Sequence, residues 1–319
     1  MNLSPETLFR AGNVVLAGRP NVGKSSLVNR LLEYKVSIVS EKPQTTRNLI
    51  RCIYNGEGFQ IVFTDTPGIH LPKHTLGKAL VEAAVEALED ACLVCYVVEA
   101  EDREIGPEDE EIIAVLQKIR TPVLLVVNKC DQLLQRKTRN PAGGEGALAA
   151  VGRLYRQRLS FCGEIFVSAR TGKGLDALLA AIRPHLPEGP PFYDEDILVD
   201  RPEKFIASEM IREKVLRLTH REVPHSVAVE IEEYKSPDEY PERDVLFIRA
   251  TLYVEREGQK RIVIGDGGAR LKEIGRLARI DIEALTGHKV YLELWIKVRS
   301  DWRRSESDLR MLGIRERRS

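Results

Sequence analysis

The first 187 residues alternate apolar runs with amphipathic stretches, and this alternation restricts the fold more than any other feature of the sequence. Runs such as NVVLA, FQIVFTD, CLVCYVVEA, VLLVVNK and EIFVSA are separated by stretches such as KSSLVNRLLE and EDEEIIAVLQKI, whose apolar residues recur at helical spacing. Strands that alternate with helices are typical of a parallel sheet with helices on both faces. The sequence therefore predicts an α/β domain over residues 1–187, with a mostly parallel, doubly wound sheet.

The rest of the chain is patterned differently. The stretch RPHLPEGPPFYDEDILVDRPEK contains five prolines and predicts a linker over residues 188–202. From 203 to 319 a helical segment, two alternating strand-like runs, a glycine-punctuated helical region and a last run, KVYLELWIKVR, predict a smaller α+β domain with a basic C-terminal tail. Residues 132–147, QLLQRKTRNPAGGEGA, predict a surface loop.

Composition restricts the class of protein. The 319 residues have a formal net charge of zero, which disfavours a uniformly basic nucleic-acid-binding surface but permits local patches. The longest apolar run, ACLVCYVV, is too short to span a membrane, and the N-terminus has no secretory pattern, so we expect a cytoplasmic protein without a transmembrane segment. Cys92 and Cys95 fall on opposite faces of a strand, which favours buried thiols over a metal or redox pair.

A phosphate-binding loop follows the first strand. Gly18-x4-Gly23-Lys24-Ser25 fits the P-loop pattern, in which backbone N–H groups surround phosphates, lysine reaches the β and γ oxygens and serine binds magnesium. The loop opens a helix, whose dipole favours an anion. We expect the nucleotide to contact Gly18, Arg19, Pro20, Asn21, Val22, Gly23, Lys24, Ser25 and Ser26.

Three further motifs follow later strands and select the nucleotide. In VVNKCD, Asn128, Lys129 and Asp131 lie at a strand's carboxyl end, where an aspartate accepts the N–H donors that guanine has and adenine lacks. The DTPG motif, made of Asp65, Thr66, Pro67 and Gly68, predicts a magnesium contact through water at Asp65 and a γ-phosphate contact at the Gly68 amide. The amides of Ser168, Ala169 and Arg170 are expected near the base oxygen. The sequence therefore predicts a site for GTP or GDP with Mg²⁺, and NKCD disfavours a metabolic kinase.

These motifs, in the order P-loop, DTPG, NKxD and SA, resemble the translation-factor-related class of P-loop GTPases. The stretch KPQTTRNLI resembles the first switch segment of the bacterial Era family, which implies that Thr46 binds magnesium and the γ-phosphate, with Thr45 as the alternative. Ile69 stands where the Ras-type pattern has a water-orienting glutamine, a replacement that the Era family shares. Asn21 matches an asparagine that helps to hold potassium in related GTPases, so potassium-stimulated hydrolysis is a hypothesis. We expect Asn21, Lys24, Thr46 and Gly68 to serve hydrolysis.

The second domain contains a GxxG loop. Gly265, Asp266, Gly267 and Gly268 precede a helix, and the order helix, strand, strand, helix, GxxG, helix, strand resembles the type II KH domain, which grips single-stranded nucleic acid. A tight helix–helix turn is the alternative. From Arg256 to Arg279 seven basic residues oppose three acidic ones, which favours RNA on this face. We expect RNA contacts at the four loop residues and at Arg261, Arg270 and Lys272, although the carboxylate of Asp266 would repel phosphate.

Together the GTPase motifs, the linker and one KH domain resemble the Era family over essentially the whole chain. The resemblance implies a GTP-dependent switch that binds small-subunit rRNA near its 3′ end and assists assembly of the 30S subunit. It also implies peripheral association with the inner face of the membrane. The alternative is a GTP-dependent regulator that acts through protein or membrane-surface contacts, with a second domain that binds a polypeptide. The two are distinguished by salt, because the affinity for RNA should fall steeply with ionic strength.

Overall fold

A computed structural model of the chain describes residues 8–40, 42, 47, 49–66, 75–136, 142–220, 223–239 and 244–314, with the backbone alone at 78, 79, 134–136, 142–145 and 147. The chain forms two compact units. The first reaches Asp200 and the second begins at Arg201, apart from the described residues 38–40, 42 and 75–79, which group with the second unit.

The first unit is a six-stranded sheet with helices between the strands, in the order β2-β3-β1-β4-β5-β6. All neighbouring strands are parallel except β2 and β3, which form an antiparallel pair. Its elements are β1 (Arg10–Ala17), α1 (Lys24–Leu32), β2 (Ile50–Gly56), β3 (Phe59–Asp65), α2 (Thr75–Glu89), β4 (Leu93–Glu99), α3 (Pro107–Leu116), β5 (Val123–Asn128), α4 (Cys130–Arg136), α5 (Ala142–Arg156), β6 (Gly163–Phe166) and α6 (Leu175–Ile182).

The predicted α/β fold is confirmed. Strands β3 and β5 are buried at every residue, because helices cover both faces of the sheet. The edge strand β2 was not predicted from the sequence, because IRCIYNG mixes exposed and buried positions. A short turn at Gly58 joins β2 to β3. The carboxyl ends of β1, β3 and β5 carry the P-loop, DTPG and NKxD motifs at one edge of the sheet, where open α/β folds bind ligands.

Two loop-like segments are more ordered than the sequence predicted. The prediction of a loop over 132–147 is wrong where α4 and α5 extend into it, and 137–141 lies outside the described residues. Helix α5 tolerates its glycines because Leu148, Val151 and Tyr155 bury its apolar face in the core of the first unit.

The predicted linker is hydrogen-bonded to the first unit over most of its length. Gln60 donates to the Tyr193 carbonyl at 2.8 Å and accepts from the Phe192 N–H at 2.7 Å, and the Ile53 N–H donates to the Leu198 carbonyl at 2.9 Å. Of residues 188–202, those up to 200 therefore belong to the first unit.

The second unit is a three-stranded sheet with helices packed on it. Strand β7 (Ala228–Lys235) is antiparallel to β8 (Leu246–Val254), and β8 is parallel to β9 (Val290–Val298). Helix α7 (Glu203–Leu218) and the short α8 (Val223–Ser226) precede the sheet, α9 (Glu257–Ile264) and α10 (Ala269–Thr286) lie between β8 and β9, and α11 (Glu306–Met311) follows. Helix α10 packs against α7 and β9. This is the element order predicted for a type II KH domain.

The described residues contain neither a cluster of three metal-ligating His, Cys, Asp or Glu side chains nor a helix long and apolar enough to cross a membrane. All five cysteines are free thiols; Cys95 is buried, and Cys92 donates to the Asn13 carbonyl at 3.1 Å.

Candidate nucleotide and RNA sites

The loop between β1 and α1 has a backbone shape that requires glycine at two positions. Gly18 and Gly23 have φ of 151° and 99°, and Asn21 between them has φ of 68°. A Cβ on Gly18 would lie 2.4 Å from the Val97 carbonyl oxygen, and one on Gly23 would lie 2.4 Å from Asn128 Nδ2. The loop thus presents its backbone at the start of α1, the arrangement that binds phosphates.

Lys24 is folded back into this loop. Its Nζ donates to the carbonyl oxygens of Gly18 at 2.7 Å and Arg19 at 3.0 Å. Burial lowers the pKa of Lys24 to about 8, against the opposing effect of Asp65 and two more distant carboxylates. A nearby phosphate would restore the preference for the charged amine.

Ser25 and Asp65 place two oxygen atoms beside the loop that could act as metal ligands. The Ser25 hydroxyl donates to Asp65 Oδ2 at 2.6 Å, and Asp65 is fully buried at the end of β3. A hydroxyl and one carboxylate suit Mg²⁺, which completes its shell with water and substrate phosphates. Next to them, Thr66 Oγ1 donates to the Leu16 carbonyl at 2.8 Å. The predicted residues Thr45, Thr46, Pro67, Gly68 and Ile69 lie outside the described residues.

Asn128 ties the phosphate loop to the predicted base-binding segments. Its Nδ2 donates to the Val22 carbonyl at 2.8 Å, and its Oδ1 accepts from the Ala169 N–H at 3.1 Å. Asn128 is 1% exposed, so it acts as a buried connector within the protein.

Asp131, which the sequence predicts to recognise the base, lies in the first turn of α4. Its Oδ1 accepts from the Ser168 hydroxyl at 2.7 Å, and the Arg170 guanidinium lies 2.6 Å from its Oδ2. The Arg170 side chain is 62% exposed, so this ion pair lies at the surface and adds little stability. The sequence had given Arg170 a backbone role alone.

Sequence analysis missed the residues that hold Arg19. Asp102 and Asp109, from the β4–α3 region, pair with the Arg19 guanidinium at 2.6 and 2.8 Å. No local motif marks them, since EDREIGPEDEE reads as a solvated acidic stretch.

The GxxG loop has a left-handed backbone, which glycine adopts without strain, and an open surface. Gly265, Gly267 and Gly268 have φ of 72°, 55° and 81°. A Cβ on Gly265 would lie 2.7 Å from Arg270 Cβ, whereas a Cβ on Gly267 or Gly268 would meet no atom within 4 Å. The last two glycines therefore leave room for another molecule's backbone.

The charged residues at this loop differ in exposure and in their contacts with the protein. Arg261, Asp266 and Lys272 are exposed, whereas Arg270 donates to the Ile262 carbonyl at the end of α9. The carboxylate of Asp266 therefore faces solvent beside the open glycines.

Comparison with known proteins matches both units. A family model described as a 50S ribosome-binding GTPase matches residues 13–129, and a KH domain model matches residues 222–303. GTPase Era of Alkaliphilus oremlandii is 46% identical over 305 residues, which cover 96% of this chain and 99% of that protein. GTPase Era of Geobacter metallireducens is 47% identical over 305 residues, 96% of this chain and 98% of that protein.

Solved structures match over the same length. Era in complex with MgGDPNP and nucleotides 1506–1542 of 16S ribosomal RNA has a TM-score of 0.88 and 39% identity, and the match covers 97% of this chain and 100% of that chain. A variant of Aquifex aeolicus Era bound to GDP.AlF4- has a TM-score of 0.88 and 40% identity at the same coverage.

The fold and the two loops define a P-loop GTPase domain joined to a KH domain. At this identity and coverage the chain belongs to the Era GTPase family. It is an enzyme that binds GTP and GDP and hydrolyses GTP.

Proposed function

We propose that this chain is a GTP-driven switch that binds small-subunit rRNA near its 3′ end through the KH domain and assists assembly of the 30S subunit. The observation that carries the proposal is the match over 97% of the chain to an Era bound at once to MgGDPNP and to nucleotides 1506–1542 of 16S rRNA. The open backbone at Gly267 and Gly268 supports the RNA contact in this chain.

The proposed nucleotide site draws on five segments of the first unit's sequence. The P-loop residues Gly18–Ser26 hold the phosphates, with Lys24 at the β and γ oxygens. Asp131 accepts the guanine donors, and the segment Ser168–Arg170 closes over the base. Ser25 and Asp65, with Thr46, are assigned to Mg²⁺, which when bound neutralises charge on the phosphates. Gly68 is assigned to the γ-phosphate.

Asn21 is proposed to hold a potassium ion near the β and γ phosphates, where positive charge offsets the charge that develops during hydrolysis. The sequence supports this role, since Ile69 cannot orient water. Asn21 is exposed in the left-handed region, so Asn21→Gly removes the amide and keeps a permitted backbone. We expect hydrolysis about tenfold faster in potassium than in sodium for the wild type, and no difference for the variant. Equal wild-type rates in the two salts would exclude the proposal.

The RNA proposal is tested by fluorescence anisotropy with an RNA of the 3′-terminal 16S segment and a scrambled RNA of the same length. We expect tighter binding of the native sequence and an affinity that falls steeply with salt. The exposed Arg261→Gln should weaken binding, whereas the equally exposed Arg120→Gln in the first unit should not. Equal binding of both RNAs, with no salt dependence, would favour a regulator that binds a polypeptide or a membrane surface.

The assembly role is tested by crosslinking in cells followed by sequencing of the attached RNA. We expect enrichment at one small-subunit rRNA site.

The proposed location is the cytoplasm, with peripheral contact at the inner face of the membrane. The support is the family resemblance. Cosedimentation with anionic and neutral vesicles tests it: we expect binding only to anionic vesicles and only at low salt, since a polar surface binds lipid through charge.

A further inference from the structure

A set of buried and half-buried charged side chains surrounds Arg19, and we call it the Arg19 network: Arg19, Glu99, Asp102, Asp109 and Lys129, with the hydroxyls of Tyr96 and Tyr155. Arg19 Nη1 donates to Asp109 Oδ2 at 2.8 Å, and Nη2 donates to Asp102 Oδ1 at 2.6 Å. Glu99 pairs with Lys129, the lysine of the NKxD motif. The network therefore joins the phosphate loop, the end of β4 and the guanine-recognition segment.

Each oxygen of the two aspartates is satisfied. Asp109 Oδ1 accepts from the Tyr96 hydroxyl at 2.8 Å. Asp102 Oδ2 accepts from the Tyr155 hydroxyl at 2.9 Å and from the Glu99 N–H at 3.1 Å. Burial and the Asp109 charge raise the pKa of Tyr96, so its hydroxyl stays protonated and donates. Such a complete set fixes the guanidinium in one orientation.

The partners of Arg19 on the aspartate side of the network are buried, while the Arg19 side chain is 21% exposed. Asp109, Tyr96 and Tyr155 are fully buried, and the Asp102 side chain is 8% exposed. Buried ion pairs add little stability over apolar side chains of the same volume. The consequence of these contacts therefore lies in the position that they give Arg19.

Arg19 occupies the first turn of the phosphate loop. Its own carbonyl accepts from Lys24 Nζ at 3.0 Å, and two residues later Asn21 has a left-handed φ of 68°. At the other end of the turn, the Val22 carbonyl accepts from Asn128 at 2.8 Å. The loop is thus fixed at Arg19 through its side chain and at Val22 through its backbone.

We propose that the Arg19 network is a positioning device: Asp102 and Asp109 act through Arg19 to keep the phosphate loop in its nucleotide-binding shape before the nucleotide arrives. This inference rests on the proposed assignment of Gly18–Ser26 to the phosphates. A loop that is competent only part of the time binds GDP and GTP more weakly by the same factor. Once GTP is bound the loop is held by its ligand, so kcat at saturation is unchanged.

The test is Asp109→Asn in the full chain, with Glu110→Gln as the matched control. Glu110 is the next residue of α3, carries the same charge and pairs with Arg158 at the surface. We expect Asp109→Asn to weaken GDP and a GTP analogue equally, by about tenfold, if the competent fraction of the loop falls to about a tenth. The control should bind like the wild type, and kcat at saturating GTP should stay within about twofold in both.

A double-mutant cycle tests whether Asp109 acts through Arg19. If it does, Arg19→Gln combined with Asp109→Asn binds GDP no more weakly than Arg19→Gln alone. Fully additive losses would place the action of Asp109 elsewhere and overturn the inference, as would wild-type affinity for Asp109→Asn.

If Asp109→Asn does not fold, Tyr96→Phe removes a single hydrogen bond to the same carboxylate. It should weaken GDP and the GTP analogue by about threefold each, with kcat unchanged; unchanged affinities would overturn the inference. A wild-type chain that bound no guanine nucleotide would instead overturn the assignment of the phosphate loop.

Discussion

The two glycine-rich loops of this chain are both suited to phosphate, but they differ in what surrounds their glycines. In the P-loop, added Cβ atoms at Gly18 and Gly23 would collide with the protein itself, at 2.4 Å in each case. In the GxxG loop, the same atoms at Gly267 and Gly268 would meet nothing within 4 Å. The first loop is enclosed by its own fold, and the second is open to solvent.

This difference matches the two ligands. A nucleotide's phosphates are compact and are bound by many converging donors, so a loop fixed in advance lowers the free energy spent on ordering. An RNA strand offers separate phosphates and is bound by charge and by close backbone approach. We therefore expect changes in the P-loop to act through the fold of the site, and changes in the GxxG loop to act only on the partner.

The largest effect is expected for Gly23→Ala. The added Cβ would lie 2.4 Å from Asn128 Nδ2, and φ is 99°, so both the contact and the backbone oppose it. Clash and strain together should weaken GDP binding by about 100-fold or more, measured by titration with a fluorescent GDP. Gly146→Ala is the control, because a Cβ there lies in open space within helix α5. Near-normal GDP binding by Gly23→Ala would show that the P-loop tolerates a side chain at this position, and would contradict the proposed difference between the two loops.

The open loop should respond differently to the same change. Gly268→Ala introduces no contact within 4 Å, but its φ of 81° is unfavourable for alanine. If RNA binds at this loop as proposed, the methyl group would also oppose the close approach of a phosphate. We expect about tenfold weaker binding of the 3′-terminal 16S RNA, with GDP affinity unchanged. Gly258→Ala also meets nothing within 4 Å and lies in the first turn of α9, where alanine is favoured, so it should leave both affinities intact. A loss of GDP affinity in Gly268→Ala would contradict the independence of the two sites.

The same contrast explains how much the sequence could predict. The P-loop, the NKxD motif and the GxxG loop are each a short continuous stretch of sequence. Each is expected to bind through its own backbone or through side chains close in sequence, so a short pattern is enough to predict it. Alternating apolar runs gave the parallel sheet for a similar reason, since each strand is buried on both faces.

The Arg19 network was not predictable because its partners are far apart in the chain. Asp102 and Asp109 lie 83 and 90 residues from Arg19. In sequence they belong to an acidic stretch of ordinary surface composition, and only the packing of the folded unit around α3 buries them. The attachment of the predicted linker to the first unit was not predictable for the same reason. Its hydrogen bonds are made with Gln60 and with the backbone of β2, and the proline content of the segment does not indicate them.

A smaller effect is expected at Asp266, the carboxylate in the open loop. It is exposed next to Gly267, so Asp266→Asn removes a repulsive charge from the approach of RNA without changing the protein's contacts. RNA affinity should rise by about twofold to fivefold at low salt, and the gain should shrink as salt screens the charge. Asp238→Asn removes an equally exposed acid elsewhere in the second unit and should change little. Unchanged affinity at low salt would mean that RNA passes away from this side of the loop.

The smallest effect concerns an ion pair of the second unit whose arginine is more exposed than Arg19: the Arg299 side chain is 38% exposed, against 21% for Arg19. The Arg299 guanidinium donates to Asp308 at 2.5 Å and lowers the pKa of that carboxyl. A lowered folded-state pKa stabilises the unit above the ordinary aspartate pKa of about 4, and the contribution is lost as the pH falls through the lowered value. Asp308→Asn should therefore lower the free energy of unfolding by about 0.5–1 kcal/mol at neutral pH and by nothing in strong acid.

Both tryptophans, Trp295 and Trp302, lie in the second unit, so their fluorescence in the full chain follows this unfolding alone. Asp301→Asn is the control, because asparagine tolerates the left-handed φ of 55° and the side chain is exposed. The comparison predicts that GDP affinity is the same in Asp308→Asn and the wild type at every pH, whereas Asp109→Asn weakens it. A loss of GDP affinity in Asp308→Asn would show that charge in the second unit reaches the nucleotide site.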